Sequence, residues 1–342
     1  MGRSERMNYR ELRRFEGLTG VVHSITFSPD GRTALSGSGS LGRDFRLVDC
    51  ALRLWDVASG KEVHRFDPHR HEADCVGQTR AADSYHRENP AQPTGPVYAV
   101  AFAPDGRLAL SGNEDRTVRL WEVGSGKERK RFHGYNREIN CVAFAPDGRR
   151  ALTGGYCYSQ GGSLPPNLYL WDLQAGCAVY GLSEHVMVQS VAFSPDGRMI
   201  LSAGEDKMPR LADAEDGREV RRFAGHRVRG CRSVFLPDGQ HILSGGTDRT
   251  LRLWDVATGQ ELGSLEGHTS GVTCVAVSPD GRRALSGSKD KTVRYWDLEG
   301  QRELCCLRGH KGRVSGVAVS PNGRWALSCG WDRTIRLWEL PV

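Results

Sequence analysis

The chain contains no run of about 18 apolar residues, so nothing in it reads as a membrane-crossing helix. It has no Asn-x-Ser/Thr sequon, the usual mark of a glycosylated secreted protein. It has no Cys-x-x-Cys pair, so its ten cysteines do not spell a common zinc or redox motif. It has no long basic block. Lys and Arg number 47 against 41 Asp and Glu, and the net charge of +6 is spread along the chain, which argues against a nucleic-acid partner. The opening MGRSERMNYRELRRF lacks the apolar core of a secretory signal. Arg6 stands where myristoylation needs Ser or Thr. At 342 residues the chain is too long for a small disulfide-stapled scaffold, so reduced thiols in a cytoplasm are expected. Glycine, in contrast, is abundant: 42 residues, where average usage gives roughly 24. That excess points to many turns.

The turns are periodic. Pro-Asp-Gly recurs with its proline at Pro29, Pro104, Pro146, Pro195, Pro237 and Pro279, and Pro321 heads a Pro-Asn-Gly. The intervals are 75, 42, 49, 42, 42 and 42 residues, so the period is 42, with 33 extra residues in the first interval and 7 in the third. A repeat running from end to end makes residues 1–342 a single expected domain. The unit 267–308 shows its parts. Residues 272–277 are apolar and β-branched, as in a buried inner strand, and Pro279-Asp280-Gly281 then presets a turn. Residues 284–287 and 292–298 read as second and third strands, and 303–307 as a more polar outer strand. Four antiparallel strands every 42 or so residues match a propeller blade.

The unit opens on Gly267-His268 and carries Trp296-Asp297 on its third strand. In both dipeptides the chain resembles the WD40 family, and the wording SPDGRxALSGSxDxTxRLWD is similar to its compact bacterial members. The resemblance implies an all-β fold: a closed seven-bladed β-propeller of four-stranded antiparallel blades. The seventh unit ends after its third strand, and RELRRFEG at 10–17 agrees with the outer-strand sequence REVRRFAG at 218–225 in six of eight residues. Residues 11–15 are therefore expected to complete the last blade. The resemblance also implies buried hydrogen-bonded sets: His226, Ser244, Asp248 and Trp254; His268, Ser286, Asp290 and Trp296; His310, Ser328, Asp332 and Trp338. Each looks like a Ser/His/Asp triad. Three copies inside successive sheets read as architecture, because a catalytic site needs one activated nucleophile in a cleft.

The earlier units depart from this pattern. Leu18, Pro93 and Tyr135 take the His position in units 1, 2 and 3. Unit 4 keeps His185, Ser202 and Asp206 but has Ala212 for Trp, and Pro209 is expected inside its third strand, so its sheet should be the weakest. Gly37–Gly42 fits G-x-G-x-x-G but no helix or βαβ unit follows, so it is not a dinucleotide site. His69, His71, Asp74 and Cys75 have metal-ligand chemistry but no second ligand pair, and read as a solvated loop. Cys305 and Cys306 should face opposite sides of one strand.

The extra residues fall in three insertions, near 40–49, 67–93 and 156–167. In the propeller fold all three emerge on one face, over blades 1 to 3. Partner contacts are expected on that face from His23, Tyr98, Glu114, Glu138, Asn140, Arg229, Arg313 and Trp331, with Met187, Gln189, Glu205 and Lys289 at equivalent positions. The acidic members lie in blades 2 to 4 and the basic ones in blades 5 to 7, which suits a protein or peptide with both charge signs. The reading is a monomeric, non-enzymatic interaction scaffold with no metal, cofactor, nucleic acid or membrane. The alternative is a propeller enzyme or metal-dependent hydrolase using the central channel or the His-rich insertion.

Overall fold

The computed structural model describes residues 9–41, 47–66, 95–135, 137–156, 165–183, 187–228 and 230–341. They form seven four-stranded antiparallel sheets and, among the described residues, no helix. We number the sheets as blades 1 to 7 in chain order. Each runs inner, second, third, outer. In blade 6 these are Val272–Val277, Arg283–Ser288, Thr292–Asp297 and Arg302–Arg308. Second strands are buried almost throughout, while the outer strands alternate with exposed residues. Cys305 is buried and Cys306 half-buried on one outer strand.

Blade 7 takes its outer strand from the start of the chain. Arg10–Phe15 pairs antiparallel with Ile335–Glu339, from Arg10 opposite Glu339 to Phe15 opposite Ile335. Phe15 is 2% exposed and packs edge-on against Trp55 of blade 1 at 5.6 Å. The third-strand arginines brace the blades: Arg119 joins the turn carboxylate of Asp115 to Glu128 on the outer strand. In blade 7 the same bridge is made by Arg336, which donates to Glu11 at 2.7 Å. The N-terminal strand thus supplies the carboxylate as well as the ladder. Blade 3 has Tyr169 in place of the arginine, set edge-on to Tyr135 at 4.8 Å.

The Pro-Asp-Gly turns do more than reverse the chain. Gly281 has φ +71°, and a Cβ there would stand 3.4 Å from the Pro237 ring of the preceding blade. The contact recurs at Gly106, Gly148, Gly197 and Gly239, and Gly31 meets Pro321 across the closure at 3.2 Å, whereas Gly323 of blade 7 has nothing within 4 Å. Glycine is needed in these turns for its positive φ, and at Gly281 the Cβ position is in ordinary contact with the proline ring.

Two expectations need correction. Pro209 is not inside the third strand of blade 4, which begins one residue later, at Arg210–Asp213. In blade 6 the equivalent Val293 pairs with Gly287. Proline has no N–H for that rung, so the strand starts after it and has four residues. The insertion near 40–49 is not a loop throughout. It lengthens the hairpin, with Ser40 opposite Val48 and Leu41 opposite Leu47, and only 42–46 lie outside the described residues. The 67–93 insertion, including His69, His71, Asp74, Cys75 and Pro93, lies outside them, as do 157–164 and His185.

Candidate functional site

The His/Ser/Asp/Trp sets are built by strand register. In blade 5 the indole N–H of Trp254 donates to Ser244 Oγ at 2.8 Å, and His226 Nε2 lies 2.7 Å from the same oxygen. His226 Nδ1 lies 3.0 Å from Asp248, which also accepts the Arg227 backbone N–H. Blade 6 repeats this with Trp296, Ser286, His268 and Asp290, at 2.8, 2.7 and 2.8 Å along the chain of contacts. Blade 7 does so with Trp338, Ser328, His310 and Asp332, at 2.8, 2.7 and 2.9 Å. Burial alone would raise the three aspartates. Hydrogen bonds from the histidines and from backbone N–H groups outweigh it and hold them well below the usual carboxylate range. The donor order is that of a hydrolytic triad, but Ser244, Ser286 and Ser328 are each 0% exposed. No substrate atom reaches them, so the chemistry is wasted on catalysis and spent on satisfying a buried indole.

Blades 1 to 3 keep the bond from the indole to a buried hydroxyl but replace the His. Trp55 donates to Ser36 at 2.8 Å, and with Leu18 in the His position Asp49 accepts the Thr19 and Gly20 N–H groups directly. In blade 2 Asn113 Nδ2 reaches Ser111 Oγ at 3.2 Å. In blade 3 the Tyr135 hydroxyl donates to the Thr153 carbonyl at 2.7 Å, and Trp171 donates to Thr153 Oγ1 at 2.7 Å. The sequence pattern did not single out Asn113 as a substitute. Its position two residues after the buried Ser111 was the available signal.

The insertion-bearing end of the channel gathers the remaining candidates. His23 Nε2 is 2.8 Å from the Gly39 carbonyl, and its ring meets Tyr98 edge-on at 4.9 Å. Burial, opposed in part by the Gly39 contact, lowers its basicity. Tyr98 shares a hydrogen bond with Glu114. Burial, then the neighbouring Glu138, push the Glu114 carboxyl above its ordinary range. Asn140 is half-buried, and its Nδ2 has no hydrogen-bond partner among the described residues. Across the mouth, the Arg313 guanidinium stacks on Trp331 with 3.7 Å to the ring centroid, and Trp331 is 47% exposed. Arg229 lies outside the described residues.

Arg232 was missed. Five residues before each turn proline the seven inner strands carry Ser24, Ala99, Cys141, Ser190, Arg232, Cys274 and Gly316: six small residues and one arginine. The site is tight, since a Cβ on Gly316 would stand 2.9 Å from Cys329 Sγ. Blade 5 also differs in register. The other six inner strands have an irregularity at this point, whereas Cys231, Arg232 and Ser233 pair in unbroken sequence with Gly246, Gly245 and Ser244. The far end of the channel is apolar. A recess of about 370 Å³ there is lined by Phe102, Phe144, Val319 and their neighbours, with no ionisable group among them.

Seven copies of the WD domain, G-beta repeat, match this chain at 9–56, 87–122, 126–161, 176–213, 217–255, 259–297 and 301–339. The chain belongs to the WD40 family. Among curated relatives, the small ribosomal subunit protein RACK1y of Oryza sativa subsp. japonica is 36% identical over 229 residues, 57% of this chain and 61% of that protein. The small ribosomal subunit protein RACK1 of Drosophila melanogaster is 39% identical over 217 residues, 57% of this chain and 63% of its own. The nuclear distribution protein PAC1-2 of Uncinocarpus reesii is 27% identical over 227 residues, 61% of this chain and 43% of that protein. The matches span less than two thirds of each relative. All three sources are eukaryotic, so the expected bacterial character finds no support among them.

Proposed function

We propose that this WD40 chain is a non-enzymatic protein-interaction scaffold, monomeric and cytoplasmic, that binds a protein or peptide partner on the insertion face across blades 1 to 3. The observation that carries this is the contrast between the two faces. On one, His23, Tyr98, Glu114, Glu138, Asn140, Arg313 and Trp331 present polar and aromatic groups that differ from blade to blade. On the other, every blade repeats the same turn, with its Asp or Asn accepting the N–H two residues on. Variation at the ends of a rigid framework is the signature of recognition. Names of relatives such as small ribosomal subunit protein and nuclear distribution protein are in keeping with work in assemblies. The enzyme alternative fares worse, because the triad-like serines are sealed.

The test is to replace 67–93 by a connection as short as that between blades 5 and 6 and to purify partners from the native host. A chain that folds as before but loses its main partner supports the reading. Unchanged capture removes the insertion face from it.

A further inference from the structure

The recess at the far end of the channel has no part in the scaffold reading. Its volume of about 370 Å³ is that of a small-molecule site. It is off-centre: blades 7, 1, 2 and 3 line it, and among the described residues none of blades 4, 5 or 6 does. The opening of a regular ring would draw its lining from all seven inner strands, so the recess is a feature of one wall. Its rim is fixed in place, because Pro321 lies against Gly31 of blade 1 and Pro29 against Gly106 of blade 2.

The wall is built by register. Thr26, Ala101 and Ala143 line the recess from equivalent rungs, opposite Leu35, Leu110 and Leu152 on the second strands. The same rung carries Ala192, Val234, Ala276 and Ala318 in blades 4 to 7. Blade 1 alone has a hydroxyl there. Among the described residues that hydroxyl makes one contact, with the Phe27 carbonyl at 3.4 Å, which is long for an O–H···O bond. The hydroxyl of Ser28, also in the wall, is spent within its own turn on Asp30 and the Thr33 N–H. Each inner strand is the edge of its sheet, so the backbone faces the channel alike in every blade and singles out no wall. Thr26 does. Phe102 and Phe144 line the same space and are only half-buried, which leaves aromatic surface uncovered.

We propose that this recess binds a small neutral aromatic molecule carrying a hydroxyl or carbonyl oxygen, with its ring against Phe102 and Phe144 and its oxygen at Thr26 Oγ1. Thr26 is the specificity-determining residue. No ionisable side chain lines the space, so a charged ligand would give up its hydration for no counter-ion. A purely aliphatic ligand would leave the hydroxyl without a partner. The rigid rim means that little order has to be created on binding. The site lies at the opposite end of the channel from the insertion face, and neither reading depends on the other.

The probe is 2-naphthol, which is neutral at pH 7, titrated into the full chain and followed by backbone amide NMR shifts. Saturable shifts are expected on the inner strands of blades 7, 1, 2 and 3, with a dissociation constant of about 1 mM or lower. The carboxylate 2-naphthoate should bind about tenfold more weakly or worse. Thr26→Val, which keeps the shape and removes the hydroxyl, should weaken 2-naphthol about 3–10-fold, and Thr26→Ser should restore most of the loss. Ala143→Leu should fill the recess and abolish binding, with an unchanged fold checked by its melting curve. If that variant does not fold, the two Thr26 variants still decide. The proposal is overturned by 2-naphthoate binding as tightly as 2-naphthol, or by undiminished 2-naphthol affinity in Thr26→Val. Shifts confined to the Trp331 end of the channel, or no saturable shift up to the solubility of the probe, overturn it as well.

Discussion

Ring closure depends on one short strand, and Phe15→Ala tests how much. Phe15 is 2% exposed and lies among Val22, Ile25, Phe27, Trp55, Leu327 and Ile335, a cluster that joins blades 7 and 1. Truncating a phenylalanine buried to this degree costs about 3–5 kcal/mol. At about 2 °C per kcal/mol for a chain of this length, the melting temperature should fall about 6–10 °C. The informative comparison is Phe132→Ala. Phe132 holds the same outer-strand position in blade 2, is 3% exposed, and packs on Trp171 of the next blade. The local cavity is alike, but Phe132 sits on a strand tethered by the chain on both sides. Residues 10–15 are held to blade 7 by the ladder, by Phe15 and by the Glu11–Arg336 pair, with Tyr9 edge-on to Trp338 just before them. Phe15→Ala should therefore release that strand as a unit, and limited proteolysis should cut near residue 17 well before any site inside the ring. Calorimetry and timed proteolysis read both effects. Equal melting shifts and equal protection in the two variants would refute the claim that closure is the ring's weakest joint.

Three further outcomes follow from the geometry. Asp248, Asp290 and Asp332 are held below their unfolded values, so their contribution is full above about pH 4 and is lost as the pH falls through the folded values. Acid melting curves should show stability falling from about pH 4 downward, and Asp290→Asn should flatten that fall while costing stability at pH 7. Glu114 is shifted the other way, so its ionisation in the fold is unfavourable. Glu114→Gln should raise the melting temperature at pH 7, with the gain vanishing as the pH approaches about 4. Blade 4, with third and outer strands of four residues each, should show the fastest amide exchange of the seven blades, and slower exchange there than in blade 6 would contradict this.

The propeller was legible because its repeat is written in residues with local consequences. Proline and glycine fix turns by backbone preference alone, and alternating apolar residues fix strands, so seven copies announce seven blades. The closing strand was legible for the same reason, as a copy of an outer strand displaced to the other end. What escaped depends on contacts between copies. No feature within a single unit shows that the turn glycines of blades 1 to 6 lie against the proline of the blade before them. Asn113 fills the His place of blade 2 from the strand that carries Ser111, a substitution that a pattern search for histidine does not score. Arg232 could have been found by aligning the chain with itself, since one charge among six small residues is conspicuous. It lies outside the positions flanking the first apolar residue, where a normal inner strand exposes its side chain. Blade 5 begins its ladder differently, and the usual position lost its meaning there.

The shared last blade also sets how the molecule answers to tension. Arg10 and Glu339 face each other at one end of the ladder that joins the two ends of the ring, and Phe15 and Ile335 face each other at the other. A pull applied through the flanking chain on both sides loads the Arg10–Glu339 rung first and all later rungs in turn. The pair therefore opens like a zipper, one rung at a time, and not in shear against the whole ladder at once. The irregularity between Glu11 and Arg13 comes early in that sequence, and the Glu11–Arg336 bridge is lost with it. A small force should thus undo the joint while leaving the six continuous blades intact, and a weak stretch should act on this ring much as a latch release acts on a clasp.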